Sequence, residues 1–137
     1  MPVAKIHINE SVYTESRIKK ISDAVQGALL EVLKIPPDDF FQIIQELPKT
    51  RFLHSPSFLG LTYSDEFILL ELTFLAGRSK ETRLTLLAEL NRRVVAEAGI
   101  SPDDLLIMLY EIAGENASFG RGLAQRAFVL RRRVTVA

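Results

Sequence analysis

The chain of 137 residues carries 17 basic and 17 acidic side chains, so its formal net charge is zero. Bulk electrostatics therefore give no reason to expect nucleic acid or an anionic membrane as a partner. Cysteine is absent and only two histidines are present, which excludes disulfides and a thiolate nucleophile and disfavours a His-rich metal site. The content of 47% hydrophobic and 25% charged residues is typical of one globular domain.

The first half of the chain predicts a β-α-β unit. Residues 3–9 alternate crudely between apolar and polar side chains, which predicts a strand. Thr14 is the predicted N-cap of a helix that Pro36 and Pro37 end. The apolar face of this helix follows a three- and four-residue spacing: Ile18, Ile21, Val25, Leu29, Val32 and Leu33. Residues 40–47 are rich in β-forming side chains and predict the second strand.

The second half predicts a similar unit. Residues 48–61 form a long connection, and the apolar run 67–76 is typical of a buried strand. Ser79 is the predicted N-cap of the second helix, which Gly99 ends. Residues 105–112 predict a fourth strand, residues 113–122 a glycine-containing loop, and residues 127–136 a short terminal strand.

The two halves repeat each other. Residues 35–47 return as residues 100–112, an offset of 65 that also pairs the two predicted strands 3–9 and 68–74 and the two helices. This pattern predicts a single domain made of two β-α-β repeats, about residues 1–60 and 61–137. Phe67 stands where the first repeat has Pro2, which directly follows Met1 and becomes a secondary amine if Met1 is removed.

The repeat predicts an α/β (α+β) fold. Two right-handed β-α-β units make a four-stranded sheet with both helices on one face. The apolar residues of the other face then need cover from another sheet, which favours an oligomer. Residues near the start lack the apolar core of a signal peptide, and no apolar run approaches the roughly 18 residues of a membrane span. A cytoplasmic location is therefore expected by default.

Pro2 and four later segments resemble the tautomerase superfamily, and within it the malonate semialdehyde decarboxylase-like group. The segments that carry the resemblance are residues 36–42, 77–79, 100–104 and 118–122. The resemblance implies a tautomerase-like fold, a catalytic N-terminal proline and a homotrimer. It also implies that the substrate is a small keto or enol acid and that no cofactor or metal is needed.

Position by position, the resemblance makes Pro2 the catalytic proline and Asp39 the aspartate that sits near its amine and handles water. Arg78 matches an arginine that holds the substrate carboxylate, and Phe119 matches an aromatic residue of the site. Two positions depart from the decarboxylase: Ala76 stands where it has a second arginine, and Ala117 where it has a tryptophan.

Physical chemistry supports these roles, although each residue also has a purely structural explanation. A free prolyl amine in an apolar pocket near a cation should have a lowered pKa, which suits a general base. Arg78 follows a buried strand and can grip a carboxylate with two hydrogen bonds, whereas most turn arginines are simply exposed. Asp39 belongs to an Asp-Asp pair that recurs as Asp103 and Asp104, so turn chemistry explains it equally well.

The remaining candidates have weaker support. Phe119 in its glycine-flanked loop is a candidate pocket wall, and Arg121 a candidate second contact for an anion. His7 is expected to be packed or at an interface, and His54 to be a loop residue. Residues 131–133, three consecutive arginines, are expected to lie on a solvated or intersubunit edge.

The sequence thus predicts a cofactor-independent keto–enol tautomerase acting on a small 2-oxo acid. One alternative is a malonate semialdehyde decarboxylase or hydratase activity at the same site. The other is a non-catalytic trimeric binding protein, which a blocked N-terminus would favour.

Overall fold

The computed structural model describes residues 1–127 of the chain, which form an α+β fold. The main elements are β1 (Pro2–Asn9), α1 (Glu15–Leu33), β2 (Gln42–Leu47), β3 (Ser57–Phe58), β4 (Leu61–Thr62), β5 (Ile68–Leu75), α2 (Lys80–Ala98) and β6 (Leu105–Ile112). Single 3₁₀ turns follow α2 and β6. The predicted strand 127–136 and the arginines at 131–133 lie outside the described residues, apart from Ala127.

The four long strands form one mixed sheet in the order β2-β1-β5-β6. Within each unit the strands are parallel, whereas β1 and β5 pair antiparallel at the centre, with Pro2 opposite Phe74. The amino ends of β1 and β2 therefore share one edge of the sheet with the carboxyl ends of β5 and β6. We call this edge of the sheet the proline edge. It contains residues from both units. The exact boundary between the two repeats stays a prediction.

The helices begin and end where the local signals predict. The Thr14 side chain accepts a hydrogen bond of 3.2 Å from the Arg17 amide, and Ser79 accepts one of 3.1 Å from the Thr82 amide. Such N-caps satisfy amides that have no partner inside the helix. At the other end α2 stops at Gly99, whose φ of 68° is accessible to glycine without strain.

Both helices pack on the same face of the sheet, and the core lies between these layers. Strand β5 alternates between buried and half-buried side chains, so only one of its faces meets the helices. The largest fully buried side chains are Phe74, Ile6, Ile8, Ile21, Leu29, Ile68, Leu70, Leu72, Leu86, Leu90, Val25 and Val94. The other face of the sheet has no layer over it among residues 1–127.

Two details differ from the sequence prediction. Residues 48–61 contain part of a small hairpin, β3 and β4, closed by Leu59 and Gly60 at φ of 52° and 78°. Two positive φ values give the tight turn that short hairpins prefer, but a leucine at the first position hides that signal. The second strand begins at Gln42, so Phe40 and Phe41 precede it and are about half exposed.

Neither helix within residues 1–127 combines the length and apolar character needed to cross a membrane. The cytoplasmic location stays a prediction.

Candidate active site

Pro2 is buried at the proline edge, where it begins β1 opposite Phe74. With Met1 attached, the nitrogen of Pro2 is an amide and has no basicity. The terminal ammonium of Met1 lies 2.5 Å from Oδ2 of Asp39, and the two groups are about nine-tenths buried. The fold thus holds a terminal amine against a carboxylate, one residue in front of the predicted catalytic proline.

Asp39 is positioned by the segment that joins α1 to β2. Its amide donates to the Pro36 carbonyl at 3.0 Å, and its carbonyl accepts from Gln26 Nε2 at 3.1 Å. Its carboxylate oxygen Oδ1 is buried and has no hydrogen-bond partner among the residues that the structure describes. A buried unpaired carboxylate oxygen is costly, so this atom is a ready acceptor for a water molecule or a protonated amine.

Arg78 lies three residues beyond the end of β5, at the same edge of the sheet. Its guanidinium donates to the carbonyls of Leu75 at 3.3 Å and of Leu33, at the end of α1, at 3.5 Å. It also lies 5.9 Å from the ring centre of Phe74, the residue paired with Pro2. These contacts hold a positive charge beside the start of β1 while part of the side chain stays accessible to solvent.

Two neighbouring cavities open at the proline edge. One of about 390 Å³ is lined by Met1, Val3, Phe41, Ile112, Asn116, Ala117, Ser118 and Phe119. The other, of about 320 Å³, is lined by Met1, Pro36, Asp38, Asp39, Phe41, Phe119, Gln125 and Arg126. Met1 and two phenylalanine rings, whose centres are 6.2 Å apart, line both of them. Cavities of this size can hold a small organic molecule.

The loop after β6 carries Phe119 to these cavities. The Phe119 amide donates to Gln125 Oε1 at 3.0 Å, and Gln125 Nε2 donates to the Gly120 carbonyl at 2.9 Å. Arg121 is exposed in this loop at a φ of 59° and lines neither cavity, whereas Arg126 lines the second. The structure therefore brings Asp39 and Phe119 to one cavity together with Met1, the residue before Pro2, whereas Arg78 and Arg121 line neither cavity.

Sequence reasoning missed several lining residues. Ser118 directly precedes Phe119 and belongs to the segment 118–122, so the loop motif contained a signal for it, whereas Asn116 lies outside that segment. Arg126 had no such signal, because only the folding of the loop onto residues 36–41 places it at the cavity.

The second repeat has an equivalent of this site at the opposite edge of the sheet, where the corresponding acidic side chains bind groups of the chain itself. Asp104, the equivalent of Asp39, accepts hydrogen bonds from the Ser64 amide at 2.8 Å and the Ser64 hydroxyl at 2.6 Å. Glu66 stands at the position of Met1 and forms an ion pair of 2.6 Å with Arg17. Because the chain runs on through Phe67, no terminal amine exists there, so each chain has one candidate site.

His7 lies away from the proline edge, on the uncovered face of the sheet. Its Nε2 is 2.7 Å from the Glu71 carboxylate, which also accepts from the Tyr110 hydroxyl at 3.0 Å. The hydrogen bonds from His7 and then Tyr110 hold the pKa of Glu71 below its usual value. The same bond to Glu71 raises the pKa of Tyr110.

Within residues 1–127, no group of three or more histidine, aspartate or glutamate side chains is arranged to hold a metal ion.

Two β-α-β units in one four-stranded sheet, with a buried proline at the start of β1, define the tautomerase class of fold. The chain belongs to the tautomerase family: two sequence profiles described as tautomerase enzyme match residues 39–120 and 2–60. The family and the fold predicted from the sequence are thereby confirmed, and an isomerase-type enzyme is supported.

Curated relatives and solved structures agree with this assignment. The probable tautomerases YusQ and YrdN of Bacillus subtilis (strain 168) are 32% and 27% identical to the chain, over 91% of its length and 98% and 95% of theirs. A malonate semialdehyde decarboxylase inhibited by 3-bromopropiolate is 30% identical at a TM-score of 0.82, covering 93% of this chain and 95% of that one. A fused 4-OT trimer shares the fold at a TM-score of 0.77 and 21% identity, covering 92% and 98% of the two chains.

Proposed function

We propose that the protein is a cofactor-independent tautomerase that interconverts the enol and keto forms of a small 2-oxo acid, with Pro2 as the proton carrier. The observation that carries this proposal is the Met1 ammonium seated 2.5 Å from Asp39, directly in front of the buried Pro2 and beside an apolar cavity. Removal of Met1 turns the Pro2 nitrogen into a secondary amine and vacates volume in both cavities.

The proposed reaction moves one proton. The neutral Pro2 nitrogen takes the proton of the enol hydroxyl, and the carbonyl forms as the double-bond electrons shift to carbon 3 of the acid. The resulting prolyl ammonium then gives its proton to carbon 3, which restores the neutral amine. In this proposal Asp39 stabilises the prolyl ammonium between the two steps; its contact with the ammonium of Met1, the residue before Pro2, supports that role.

The substrate class follows from the surroundings of Pro2. Arg78 supplies a cation that can hold the carboxylate through parallel hydrogen bonds. The rings of Phe41 and Phe119 offer apolar walls for the substituent on carbon 3. An aryl-substituted 2-oxo acid such as phenylpyruvate matches this combination of a nearby cation and an aromatic cavity.

Decarboxylation or hydration at the same site is the second candidate. The unpaired Oδ1 of Asp39 is suited to orienting water, and the solved decarboxylase is 30% identical to the chain. Ala76 stands where the resemblance to the decarboxylase predicts a second arginine, so we rank this activity below tautomerisation. If Met1 stays attached, the third candidate, a binding protein without catalytic activity, is favoured.

We further propose that the protein assembles as a homotrimer. Ile43, Met108 and Tyr110 are 47%, 45% and 42% exposed, and they belong to strands whose other face packs on the helices. The hairpin of β3 and β4 adds Phe58 and Leu59, which are 61% and 83% exposed. An apolar area of this kind calls for cover, and fused 4-OT proteins with this fold form trimers.

The catalytic proposal is tested by comparing two N-termini. One sample has Met1 removed, as verified by its intact mass, and the other carries a retained N-terminal extension on the same fold. Ketonisation of phenylpyruvate is followed by ultraviolet absorbance. We expect the blocked sample to lose about 100-fold or more of kcat/KM, the usual contribution of a general base. Full turnover by a verified Met1-retaining protein would overturn the proposal.

A further inference from the structure

Another cavity lies at the opposite edge of the sheet, beside Ser64, the residue that binds Asp104. It has a volume of about 370 Å³ and is lined by Asn9, Lys49, Phe52, Leu53, His54, Pro56, Tyr63, Ser64 and Asp65. Residues 52–54 are the repeat equivalents of residues 117–119, which line the cavity beside Pro2. The fold therefore places a second pocket at the opposite edge of the sheet, with aromatic walls and without a chain-terminal amine.

The aromatic side chains form a compact cluster. The His54 and Phe67 rings lie 4.4 Å apart at 31°, and the Tyr63 and Phe67 rings lie 4.8 Å apart at 63°. Phe52 joins them with its ring centre 5.6 Å from that of Phe67. Ring faces carry partial negative charge, so such a wall attracts cations as well as apolar groups.

Asn9, one of the lining residues, carries a buried acceptor without a partner among residues 1–127. Asn9 is 4% exposed, and its Nδ2 donates to the Asp65 carbonyl at 2.8 Å, which identifies the other amide atom as the oxygen. That oxygen, Oδ1, has no hydrogen-bond partner among residues 1–127. A buried amide oxygen in this state loses the energy of a hydrogen bond, which a ligand N–H group would restore.

His54 contributes a second acceptor. Its Nδ1 lies 2.8 Å from the Ser55 carbonyl oxygen, so Nδ1 carries the ring proton in this contact. In a neutral imidazole the remaining nitrogen, Nε2, then has a free lone pair. The polar groups of the cavity thus include two acceptors, which match a ligand that donates hydrogen bonds.

Asp65 adds a negative charge to the cavity lining. Its carboxylate pairs with Lys49 at 3.2 Å, but these side chains are 64% and 77% exposed. Exposed pairs of this kind are weak, so Lys49 can turn to solvent when another cation approaches. The carboxylate is then available to an ammonium group that also reaches Asn9.

We propose that this cavity is a second binding site, which takes a small organic ammonium compound with an aromatic or branched apolar body. The ammonium group donates to Asn9 Oδ1 and neutralises Asp65, while the body lies against the rings of Phe52, His54 and Tyr63, which line the cavity. This site does not depend on Pro2 or on the catalytic proposal.

The test is a titration of the full chain with 2-phenylethylamine, followed by the ring C–H signals of its two histidines in NMR spectra. We expect saturable shifts at His54, with a dissociation constant of about 1 mM or tighter, and no shifts at His7. Phenylacetate, which has the same ring and the opposite charge, should bind at least about tenfold more weakly. Equal binding of the acid, or no shift at His54, would overturn the proposal.

Two variants locate the contacts. Asp65→Asn should weaken amine binding about threefold or more, as loss of a surface ion pair does. Its matched control is Asp23→Asn, because the Asp23 side chain is also 64% exposed and paired with a lysine. Asn9→Leu should weaken binding about tenfold. An equal effect of Asp65→Asn and Asp23→Asn would contradict the site, and this comparison holds even if Asn9→Leu fails to fold.

Discussion

At the scale of single residues, the site depends on how one amine and one guanidinium are held. Pro2 contributes a nitrogen whose chemistry changes when Met1 leaves, and the neighbouring Asp39 already binds a terminal ammonium. Arg78 is fixed by two backbone carbonyls, so its charge is held in place before a substrate arrives. Preorganised charge of this kind contributes more than a mobile surface residue does.

Arg78→Ala should lower kcat/KM for phenylpyruvate ketonisation about 10- to 100-fold, mainly by raising KM. The lost charge-assisted hydrogen bonds are worth roughly 1.5–3 kcal/mol, and each 1.4 kcal/mol is about tenfold. Arg83→Ala is the matched control, since Arg83 lies five residues later and pairs with Glu111. Steady-state kinetics of both variants test this prediction. Equal losses of kcat/KM in the two variants would contradict a role of Arg78 in substrate binding.

Ala76→Arg should raise malonate semialdehyde decarboxylation while leaving tautomerisation within a fewfold. Decarboxylation benefits from two cations, one on the carboxylate and one on the carbonyl oxygen, and this change supplies the second. The expected gain is about tenfold or more. Rates of both reactions should be measured on the same preparations. If the unmodified protein already decarboxylates faster than it tautomerises any enol acid, our ranking of the two activities is wrong.

At the scale of elements, the equivalent segments before β2 and before β6 differ in what their aspartates bind. The segment before β2 presents Asp39 to a terminal amine and leaves Oδ1 unpaired, whereas the turn before β6 ties Asp104 to the backbone and hydroxyl of Ser64. We therefore expect the same Asp-Asp pair to contribute to chemistry in one repeat and to folding in the other.

Asp39→Ala and Asp104→Ala should separate these tasks. We expect Asp104→Ala to lower the free energy of unfolding by about 1–3 kcal/mol, because two hydrogen bonds from Ser64 to a buried carboxylate are lost. We expect Asp39→Ala to reduce activity more than stability, since the Asp39 carboxylate has one partner and that partner leaves with Met1. Thermal melts and kinetics on both variants test this; the reverse pattern would refute the assignment.

At the scale of the whole molecule, the uncovered sheet face and the hairpin set the expected assembly. Light scattering at micromolar concentration should report a mass roughly three times 15.4 kDa. Met108→Asp, which places a charge on the uncovered face, should shift the protein toward monomers. Leu84→Asp is the control, because Leu84 is 54% exposed on α2, in the helix layer. A monomer in the unmodified protein would contradict the trimer.

Much of the architecture was predictable because its signals are local. The N-caps at Thr14 and Ser79, the stop at Gly99 and the strand at residues 105–112 all depend on side chains within a few positions of each other. The 65-residue repeat then related the two halves without any knowledge of their packing. Pro2 became a candidate through its position after Met1 and its place in the repeat, and its catalytic role stays a proposal.

The sequence by itself thus determined the two β-α-β units, the helix layer and the family, because short-range spacing and capping decide those features. The tertiary structure decided which edge of the sheet is used. Only the antiparallel pairing of β1 with β5 sets Pro2 opposite Phe74 and brings Arg78 from the second repeat to the first. It also decided that Asp39 meets a terminal amine while Asp104 meets Ser64. Such contacts join residues roughly 40 positions apart, and their partners are selected by packing of the whole core, which no local pattern encodes.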